Sequence, residues 1–413
     1  MHLADDSRAP QADTPGWPFA VASGILGWIL DAFDFFILVF LFPELMARYG
    51  VSKGAILWTM TMTLAMRPVG ALIFGAVADK LGRKWPLIVC VAYFSTVTVC
   101  SGLAPTYGLF MLCRCLYGIG MGGYWGIGAS YAMESAPRAK RGMLSGLMQA
   151  GYPLGYLLAA LAMQFITPRF GWHAMFYCGT VLAAVIIALT LFAPESDAWE
   201  QTKMPSMGHI FRALVSYRTR FLYLLILMAG MTSLSHGTQD LYPDFLRTLP
   251  FMQGVTVLGM KASLGIAVLY NLAAIVGALI FGQLSQRIGR RYGVMAALCL
   301  CLISMHWWAF GASVMAITLG AMLMQAGTQG AFGVIPAHLN ELSPSAIRGL
   351  FAGFTYQLGV LLTSPVSPLQ NFLREHFGYS WALASFELVT ISVLFLLMIF
   401  GPENHSRDFH EAM

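Results

Sequence analysis

Ionisable side chains interrupt several long apolar stretches of this chain, and their types suit the recognition of an anion. Arg67 and Arg114 are permanently charged, and a planar guanidinium can hold a carboxylate through two parallel hydrogen bonds. Asp31 and Asp34 lie three positions apart, so they share one helical face. A desolvated aspartate near other charges can be tuned to gain and release a proton. These residues predict the binding of a small organic anion together with a proton.

A second group of such residues lies in the segment Ser235-His236-Gly237-Thr238-Gln239-Asp240. His236, Gln239 and Asp240 share a helical face. A neutral imidazole and an amide can hydrogen-bond a hydroxyl or keto oxygen, and histidine can also titrate near neutral pH. The residue types alone leave four candidates for the proton carrier: Asp31, Asp34, His236 and Asp240.

The elements that carry these residues must be surrounded by lipid. The 413 residues are 58% hydrophobic and 10% charged, with a mean hydropathy of +0.68, whereas soluble proteins carry about 25% charged residues. This composition excludes a string of water-soluble domains and predicts an all-α membrane protein. A membrane-spanning helix needs about 20 apolar residues. Twelve spans are predicted: 19–42, 54–78, 85–104, 108–133, 142–166, 172–193, 220–246, 262–285, 293–311, 314–338, 349–371 and 381–400.

The second half of the chain repeats the first at an offset of 207 residues. Gly70–Gly75 recurs letter for letter as Gly277–Gly282. The repeat predicts two pseudo-symmetric six-helix bundles, with a binding site near the bilayer midplane and alternating access by rocking of the halves. The predicted division is a tail at 1–18, a bundle at 19–193, a loop at 194–219, a bundle at 220–400 and a tail at 401–413.

The repeat also separates residues that serve the fold from residues that serve a ligand. Charges present in both halves are assigned to the scaffold or to gating: Glu134, Arg141, Glu341 and Arg348. Charges with a neutral counterpart are assigned to a substrate or a coupling ion: Arg67 (Ala274), Arg114 (Ala321) and Asp31 (Thr238). Charges are costly inside a membrane, so unmatched ones indicate function. The alternative is that the two arginines only neutralise the aspartates.

A duplicated loop motif joins two spans in each half. The first copy is Gly75-x3-Asp79-Lys80-x-Gly82-Arg83-Lys84, and the second is Gly282-x3-Gln286-Arg287-x-Gly289-Arg290-Arg291. Asp79 can pair with a cation or a neighbouring helix end when that side of the protein is closed. Because Gln286 replaces the acid, we expect a weaker latch in the second half. The gating residues predicted here are Asp79, Arg83, Arg287 and Arg290.

The distribution of Lys and Arg predicts the orientation. With both termini cytoplasmic, sixteen of these residues fall inside and six outside, which is the positive-inside bias. The net charge of +5 therefore does not indicate a nucleic-acid partner. The seven cysteines show no metal-binding spacing, and we expect neither a metal nor a cofactor.

The loop motif, the repeat and the twelve spans together resemble the major facilitator superfamily. The segment at 235–240 resembles the signature of the sialate:proton symporter family and, within it, the Jen-type fungal lactate/pyruvate permeases, although Thr232 and Asp244 depart from that pattern. Leu30–Phe36, Arg67 and Phe354–Gly359 also look like that group. The resemblance implies proton-coupled uptake of short monocarboxylates, with substrate or coupling roles for Arg67, His236, Asp240 and Gln357.

We therefore predict a monomeric proton symporter for lactate, pyruvate or a similar acid in a bacterial inner membrane. The substrate-binding residues predicted are Arg67, Arg114, Tyr152, His236, Gln239, Asp240, Tyr356 and Gln357. One alternative keeps the fold and changes the substrate to sialic acid or an aromatic acid. Drug efflux is disfavoured because Gly151–Gly155 is only a fragment of the glycine- and proline-rich antiporter motif. A non-transporting receptor would need no midplane charges, and an enzyme would need a nucleophile, phosphate-loop or metal motif that does not occur.

Overall fold

The structure is a computed structural model that describes residues 15–201, 212, 214–405 and 409. Much of the predicted tails and part of the predicted central loop lie outside the described residues. The first half contains α1 (Trp17–Phe40), α2 (Phe42–Tyr49), α3 (Lys53–Leu81), α4 (Lys84–Leu103), α5 (Tyr107–Ser135), α6 (Arg141–Gln149), α7 (Gly151–Phe165), α8 (Thr167–Phe170), α9 (Ala174–Phe192) and α10 (Asp197–Glu200).

The second half follows the same order. It contains α11 (Arg218–Gln239), α12 (Tyr242–Thr248), a hairpin of β1 (Thr256–Val257) and β2 (Met260–Lys261), α13 (Ala262–Ile288), α14 (Arg290–Phe310), α15 (Val314–Leu342), α16 (Arg348–Leu362), α17 (Val366–Phe377) and α18 (Tyr379–Phe400). The hairpin strands are antiparallel, with Thr256 opposite Lys261.

The predicted spans are confirmed as two six-helix bundles, but three spans are shorter than expected. Among the described residues, eight helical segments are long and apolar enough to cross a membrane, with α11 and α12 taken together as one of them. The fifth, seventh and eleventh predicted spans each end or break near a proline: Pro153, Pro243 and Pro365. Proline lacks the amide hydrogen that continues a helix and clashes with the preceding turn, so α6/α7, α11/α12 and α16/α17 are separate helices.

Backbone geometry repeats at the 207-residue offset. Thr106 and Ser313 cap α5 and α15, accepting hydrogen bonds from Leu109 N at 3.4 Å and Ala316 N at 3.2 Å. Gly82 and Gly289 end α3 and α13 with φ of 103° and 96°, a region that strongly favours glycine. The same local chemistry therefore starts and stops equivalent helices in both halves.

Glycines also set the spacing of the inner helices. A Cβ on Gly70 would lie 1.8 Å from Ile119 O, and one on Gly277 would lie 2.0 Å from Ala326 O. The helix pairs α3/α5 and α13/α15 thus pack backbone to backbone, which is how small residues allow membrane helices to associate. Large apolar side chains such as Trp85 and Phe400 are 60% and 82% exposed on the outside, where lipid would cover them.

The two halves meet through α3 against α16 and α6 against α13. The contact is closest toward the end of the molecule that carries the loop motifs, which we call the loop end and which the sequence predicts to be cytoplasmic. There, a Cβ on Gly126 would lie 2.9 Å from Gly353 Cα. The halves are therefore closed against each other at the loop end.

Candidate functional site: a cavity between the halves

A small cavity lies between the two bundles. It lies beyond the closed loop end, toward the other end of the molecule, which we call the opposite end. The centres of water-sized molecules can occupy about 50 Å³ of this cavity. The first half contributes Trp28, Phe35, Leu64, Arg67, Gln149 and Tyr152, and the second contributes Thr232, Ser235, His236, Gln329, Phe332, Tyr356 and Val360. Most of this wall is apolar, and a few polar groups converge on the space, as in a typical ligand site.

Arg67 is the cation of this wall. It lies near the middle of α3, is 5% exposed, and has no hydrogen-bond partner for Nε. A Cβ on Gly122 would lie 1.9 Å from the Arg67 carbonyl oxygen, so α5 holds the backbone of α3 at this point. The next residue, Pro68, has no amide hydrogen to bond back to the preceding turn. Arg67 therefore places a cation in the cavity wall on a well-supported backbone.

His236 lies on the facing helix α11 and is joined to Asp240. Its Nδ1 is 3.2 Å from both carboxylate oxygens of Asp240, and Ser367 Oγ donates to Asp240 Oδ2 at 2.7 Å. The side chains of His236 and Asp240 are 35% and 36% exposed. This pair thus connects the cavity wall to the space open at the opposite end.

Tyr152 and Tyr356 lie in the wall, where the sequence places them. Trp28 stacks on Tyr152 with ring centroids 5.9 Å apart, and Trp125 stacks on Tyr356 at 3.9 Å. Trp28 also meets Tyr356 edge to face at 6.3 Å. Rings from both halves therefore form one aromatic surface across the interface.

Of the predicted substrate residues, Asp240 lies outside the cavity wall beside His236, and three more point elsewhere. The guanidinium of Arg114 packs 4.0 Å over the ring of Tyr117, inside the first half. Gln239 donates to Gln325 Oε1 at 2.9 Å. Gln357 is buried and donates to Gly122 O at 3.4 Å. These side chains point into helix–helix packing, because depth along a helix does not fix the direction in which a side chain points.

Asp31 and Asp34 are also absent from the cavity wall, contrary to expectation. Both are fully buried on α1 within the first bundle. Thr98 on α4 donates to Asp34 Oδ2 at 3.1 Å, and Arg114 donates to the Asp34 carbonyl oxygen at 3.4 Å. Neither oxygen of the Asp31 carboxyl has a hydrogen-bond partner. The hydrogen bond from Arg114 therefore joins α5 to the backbone of α1 inside the first bundle and does not reach the Asp34 carboxylate.

The loop end contains a buried ionic network centred on the first motif copy. Asp79 accepts hydrogen bonds from Gly349 N at 3.0 Å and Leu350 N at 2.9 Å, at the beginning of α16 in the other half. Arg83 pairs with Asp79 and, through Nε and Nη2, with both oxygens of Glu134 at 3.1 and 3.0 Å. A carboxylate at a helix N-terminus is favourable, so this contact stabilises the closed halves.

The second motif copy makes a related set of contacts between the halves, with a neutral amide in place of the carboxylate. Arg290 pairs with Glu341 at 2.8 Å within the second half, and Arg141 approaches Glu341 from the first half at 3.8 Å. Gln286 Oε1 accepts from Gly142 N at 2.9 Å. Gln286 also donates from Nε2 to Arg138 O at 3.0 Å, so neutral hydrogen bonds stand where Asp79 uses a carboxylate. Arg287, predicted to take part in gating, is exposed at the end of α13.

Phe409 lies between the halves at this end. Its ring is 2% exposed, with the guanidinium carbon of Arg141 3.8 Å from the ring centre and that of Arg348 at 4.1 Å. Arg141 begins α6 and Arg348 begins α16, so one aromatic ring contacts both halves. The sequence reasoning did not anticipate this contact.

Two acidic residues that the sequence reasoning missed serve as caps. Glu195 accepts hydrogen bonds from Arg83 N at 2.8 Å and Lys84 N at 3.2 Å, at the start of α4. Glu403 accepts from Arg291 N at 2.9 Å, at the start of α14. Each follows a proline just after the last long helix of its half, and this shared Pro-Glu pair is the signal that could have revealed them.

Two uncharged polar residues in the cavity wall were also missed. Gln149 and Gln329 are each 2% exposed. Their counterparts at the 207-residue offset are Tyr356 and Gly122. The comparison of the halves considered only charges, and applying it to amides would have found both residues.

Comparison with known proteins agrees with this architecture. The profile of the Major Facilitator Superfamily matches residues 24–362. The chain belongs to this superfamily. A solved structure of the proton:xylose symporter XylE, bound to 6-bromo-6-deoxy-D-glucose, has a TM-score of 0.72 and 18% identity, and the match covers 97% of this chain and 98% of that one. At that identity the likeness shows the fold.

Two curated relatives are informative about the family. The "Carboxylic acid transporter protein homolog" of Saccharomyces cerevisiae is 31% identical over 385 residues, covering 86% of this chain and 61% of the relative's length. The sialic acid transporter NanX of Escherichia coli is 24% identical, covering 92% and 93%. Membership of this superfamily makes the chain a multi-pass membrane transporter and not an enzyme.

Proposed function

We propose that this superfamily member is a proton-coupled symporter of small monocarboxylates such as lactate or pyruvate. The observation that carries the proposal is the position of Arg67, a buried cation without a counterpart in the second half, in a cavity that faces His236 across the interface. Arg67 binds the carboxylate. His236 and Asp240 exchange the proton with the open end.

The size and composition of the cavity favour a short acid. About 50 Å³ is open to the centres of water-sized molecules, and aromatic rings form much of the wall of that space. A bulky polyol acid such as sialic acid needs more room and more hydrogen-bonding groups. A short aliphatic acid can lie against the rings of Trp28, Tyr152 and Tyr356 with its carboxylate on Arg67.

Electrostatics gives a reason for coupling. A monoanion and a proton together carry no net charge, so the loaded carrier can reorient without moving an additional charge through lipid. The titratable pair is exposed at the opposite end while the loop end is closed. The structure thus corresponds to the proposed state that accepts substrate and proton from outside the cell.

The relative from yeast named as a carboxylic acid transporter homologue supports a carboxylate substrate. Because this chain spans 61% of that relative's length, its substrate is not transferred directly. The second relative is named for a larger acid, and the cavity size argues against that substrate here.

Uptake into proteoliposomes tests the proposal. Purified protein is reconstituted, and radiolabelled lactate is added with and without an imposed inward proton gradient. We expect accumulation that depends on the gradient in the wild type and is lost in Arg67→Ala. Lactate counts that do not change when the gradient is collapsed reject proton coupling, and a fully active Arg67→Ala rejects the assigned binding site.

A further inference from the structure

Two side-chain hydrogen bonds join α17 to the end of α11, where the His236–Asp240 pair lies. Ser367 Oγ donates to Asp240 Oδ2 at 2.7 Å. Gln370 Nε2 donates to Gly237 O at 2.8 Å. The two donors are three residues apart on α17, and their two partners are three residues apart on α11 and its C-terminal cap. Residues at this spacing share a helical face, so the two helices are joined at matched positions, one of which is the Asp240 carboxyl.

Neither side-chain hydrogen bond can form at the equivalent positions of the first half. The counterparts at the 207-residue offset are apolar: Ala160 for Ser367, Phe33 for Asp240 and Met163 for Gln370. The symmetry of the fold therefore does not require these polar groups. By the criterion applied above to Arg67, the contact of α17 with Asp240 belongs to the ligand or the coupling ion.

Ser367 and His236 hold the Asp240 carboxyl in different ways. His236 Nδ1 lies 3.2 Å from both carboxyl oxygens, at the long end of the range for an N–H donor, so it does not select one oxygen. Ser367 contacts Oδ2 at the usual distance for a hydroxyl donor. The hydroxyl therefore fixes the rotation of the carboxyl, and Oδ1 faces only His236 among the side-chain donors of the described residues.

A hydroxyl suits a carboxyl that gains and loses a proton. It donates to an ionised carboxylate, and it can accept from a protonated carboxylic acid. Ser367 can thus stay bonded to Asp240 in both protonation states, whereas an apolar side chain at this position bonds to neither. The carboxyl then keeps one position beside His236 while its proton is exchanged.

We infer that Ser367 is a positioning residue for proton coupling, through which α17 holds the Asp240 carboxyl against His236. This inference rests on the proposed function and adds to it a residue outside the cavity wall. Because Ser367 does not line the cavity, its hydroxyl acts on coupling and not on the binding of lactate.

Two transport assays on the same proteoliposomes separate coupling from binding. One measures uptake of radiolabelled lactate driven by an imposed proton gradient, and the other measures exchange of internal for external lactate without a gradient. We expect Ser367→Ala to reduce gradient-driven uptake about tenfold, the scale of one hydrogen bond to a charged group, and to change exchange less than about twofold. Ser367→Thr keeps the hydroxyl and should restore gradient-driven uptake.

Two control variants isolate the Ser367 hydroxyl. Ser364→Ala removes an exposed hydroxyl from the turn before α17 and should change neither assay. Gln370→Met breaks the other contact between α17 and α11, and we expect a smaller loss of gradient-driven uptake than in Ser367→Ala. Wild-type coupling in Ser367→Ala, or an equal loss in Gln370→Met, overturns the inference and leaves the proposed function standing. A wild type whose lactate uptake does not respond to the gradient overturns the proposed function itself.

Discussion

Glu134 of the first half and Arg348 of the second form a buried ion pair, with 2.9 Å between Oε1 and Nη1. The same carboxylate also accepts hydrogen bonds from Arg83 and from Ser196. One side chain therefore links the loop motif of its own half to the start of α16 in the other half. Removing the Glu134 carboxylate leaves the guanidinium groups of Arg83 and Arg348 buried without their shared partner.

Glu134→Gln should open the loop end. Removing one partner of a buried ion pair costs about 3–5 kcal/mol, and the closed state alone contains this contact between the halves. The measurement is the distance between spin labels at positions 85 and 292, equivalent exposed sites at the loop ends of α4 and α14. The distribution should shift to longer distances. Glu341→Gln is the control, with a smaller shift expected because its partner across the interface, Arg141, is 3.8 Å away.

Phe409→Ala should shift the same equilibrium in the same direction. The ring contacts Arg141 and Arg348 at once, and a cation over an aromatic ring contributes about 0.5–2 kcal/mol. We expect a smaller opening than for Glu134→Gln, measured with the same pair of labels. Phe400→Ala removes an aromatic ring that is 82% exposed and should have no effect. Identical distance distributions for wild type and Phe409→Ala would show that the ring does not hold the closed state.

Arg67 and Arg114 should respond differently to substitution. Arg67→Lys keeps the charge and loses the planar fork, so we expect the KM for lactate to rise about tenfold or more, with little change in thermal stability. Arg114→Lys disturbs a fully buried cation stacked on Tyr117, and we expect a lower Tm with nearly unchanged KM in the protein that folds. The reverse pattern would transfer the substrate site to Arg114.

Asp240→Asn should uncouple transport from the proton gradient. The variant keeps the size of the side chain and loses the carboxylate that pairs with His236. We expect gradient-driven uptake to fall at least tenfold, which corresponds to about 1.4 kcal/mol or more. Exchange of internal for external lactate should persist. Asp244→Asn is the matched control, since Asp244 lies four residues further on and pairs only at the surface with Arg247. Uptake by Asp240→Asn that still follows the gradient would exclude this carboxylate as the proton site.

Glu195 should make the stability of the protein depend on pH. Burial raises the pKa of the Glu195 carboxyl above its ordinary value, although its backbone donors oppose this change. The folded protein therefore holds this proton more tightly than the unfolded chain. The stabilising contribution is present below the ordinary glutamate pKa of about 4.3 and is lost as pH rises through the raised pKa. Thermal unfolding of wild type and Glu195→Gln across this range should show the wild-type advantage decreasing. An advantage that grows with pH would mean that the backbone donors dominate.

Much of the fold could be predicted because lipid imposes a simple rule on sequence. Apolar runs of sufficient length locate the spans, and the 207-residue repeat pairs them into bundles. Helix ends near Pro153, Pro243 and Pro365 were missed, since hydropathy continues across a break that only backbone hydrogen bonding creates.

The site was predicted less completely. Arg67, Tyr152, His236 and Tyr356 lie in the cavity wall, whereas Arg114 and Gln239 face neighbouring helices. Each residue turns a helix by about 100°, so an error of one position in the assumed packing face redirects a side chain. Phe409 could not be anticipated, because its contacts depend on where a chain terminus returns in three dimensions.

Three polar residues of the cavity wall have counterparts in the other half that are small or aromatic: Arg67 has Ala274, Gln329 has Gly122 and Gln149 has Tyr356. The glycine contacts and helix caps, in contrast, are shared by both halves. Recognition and architecture thus depend on separate sets of residues. In proteins that share this duplicated scaffold, substrate specificity can therefore change through a few substitutions of inward-facing side chains. The helix packing that holds the protein in the bilayer need not change with it.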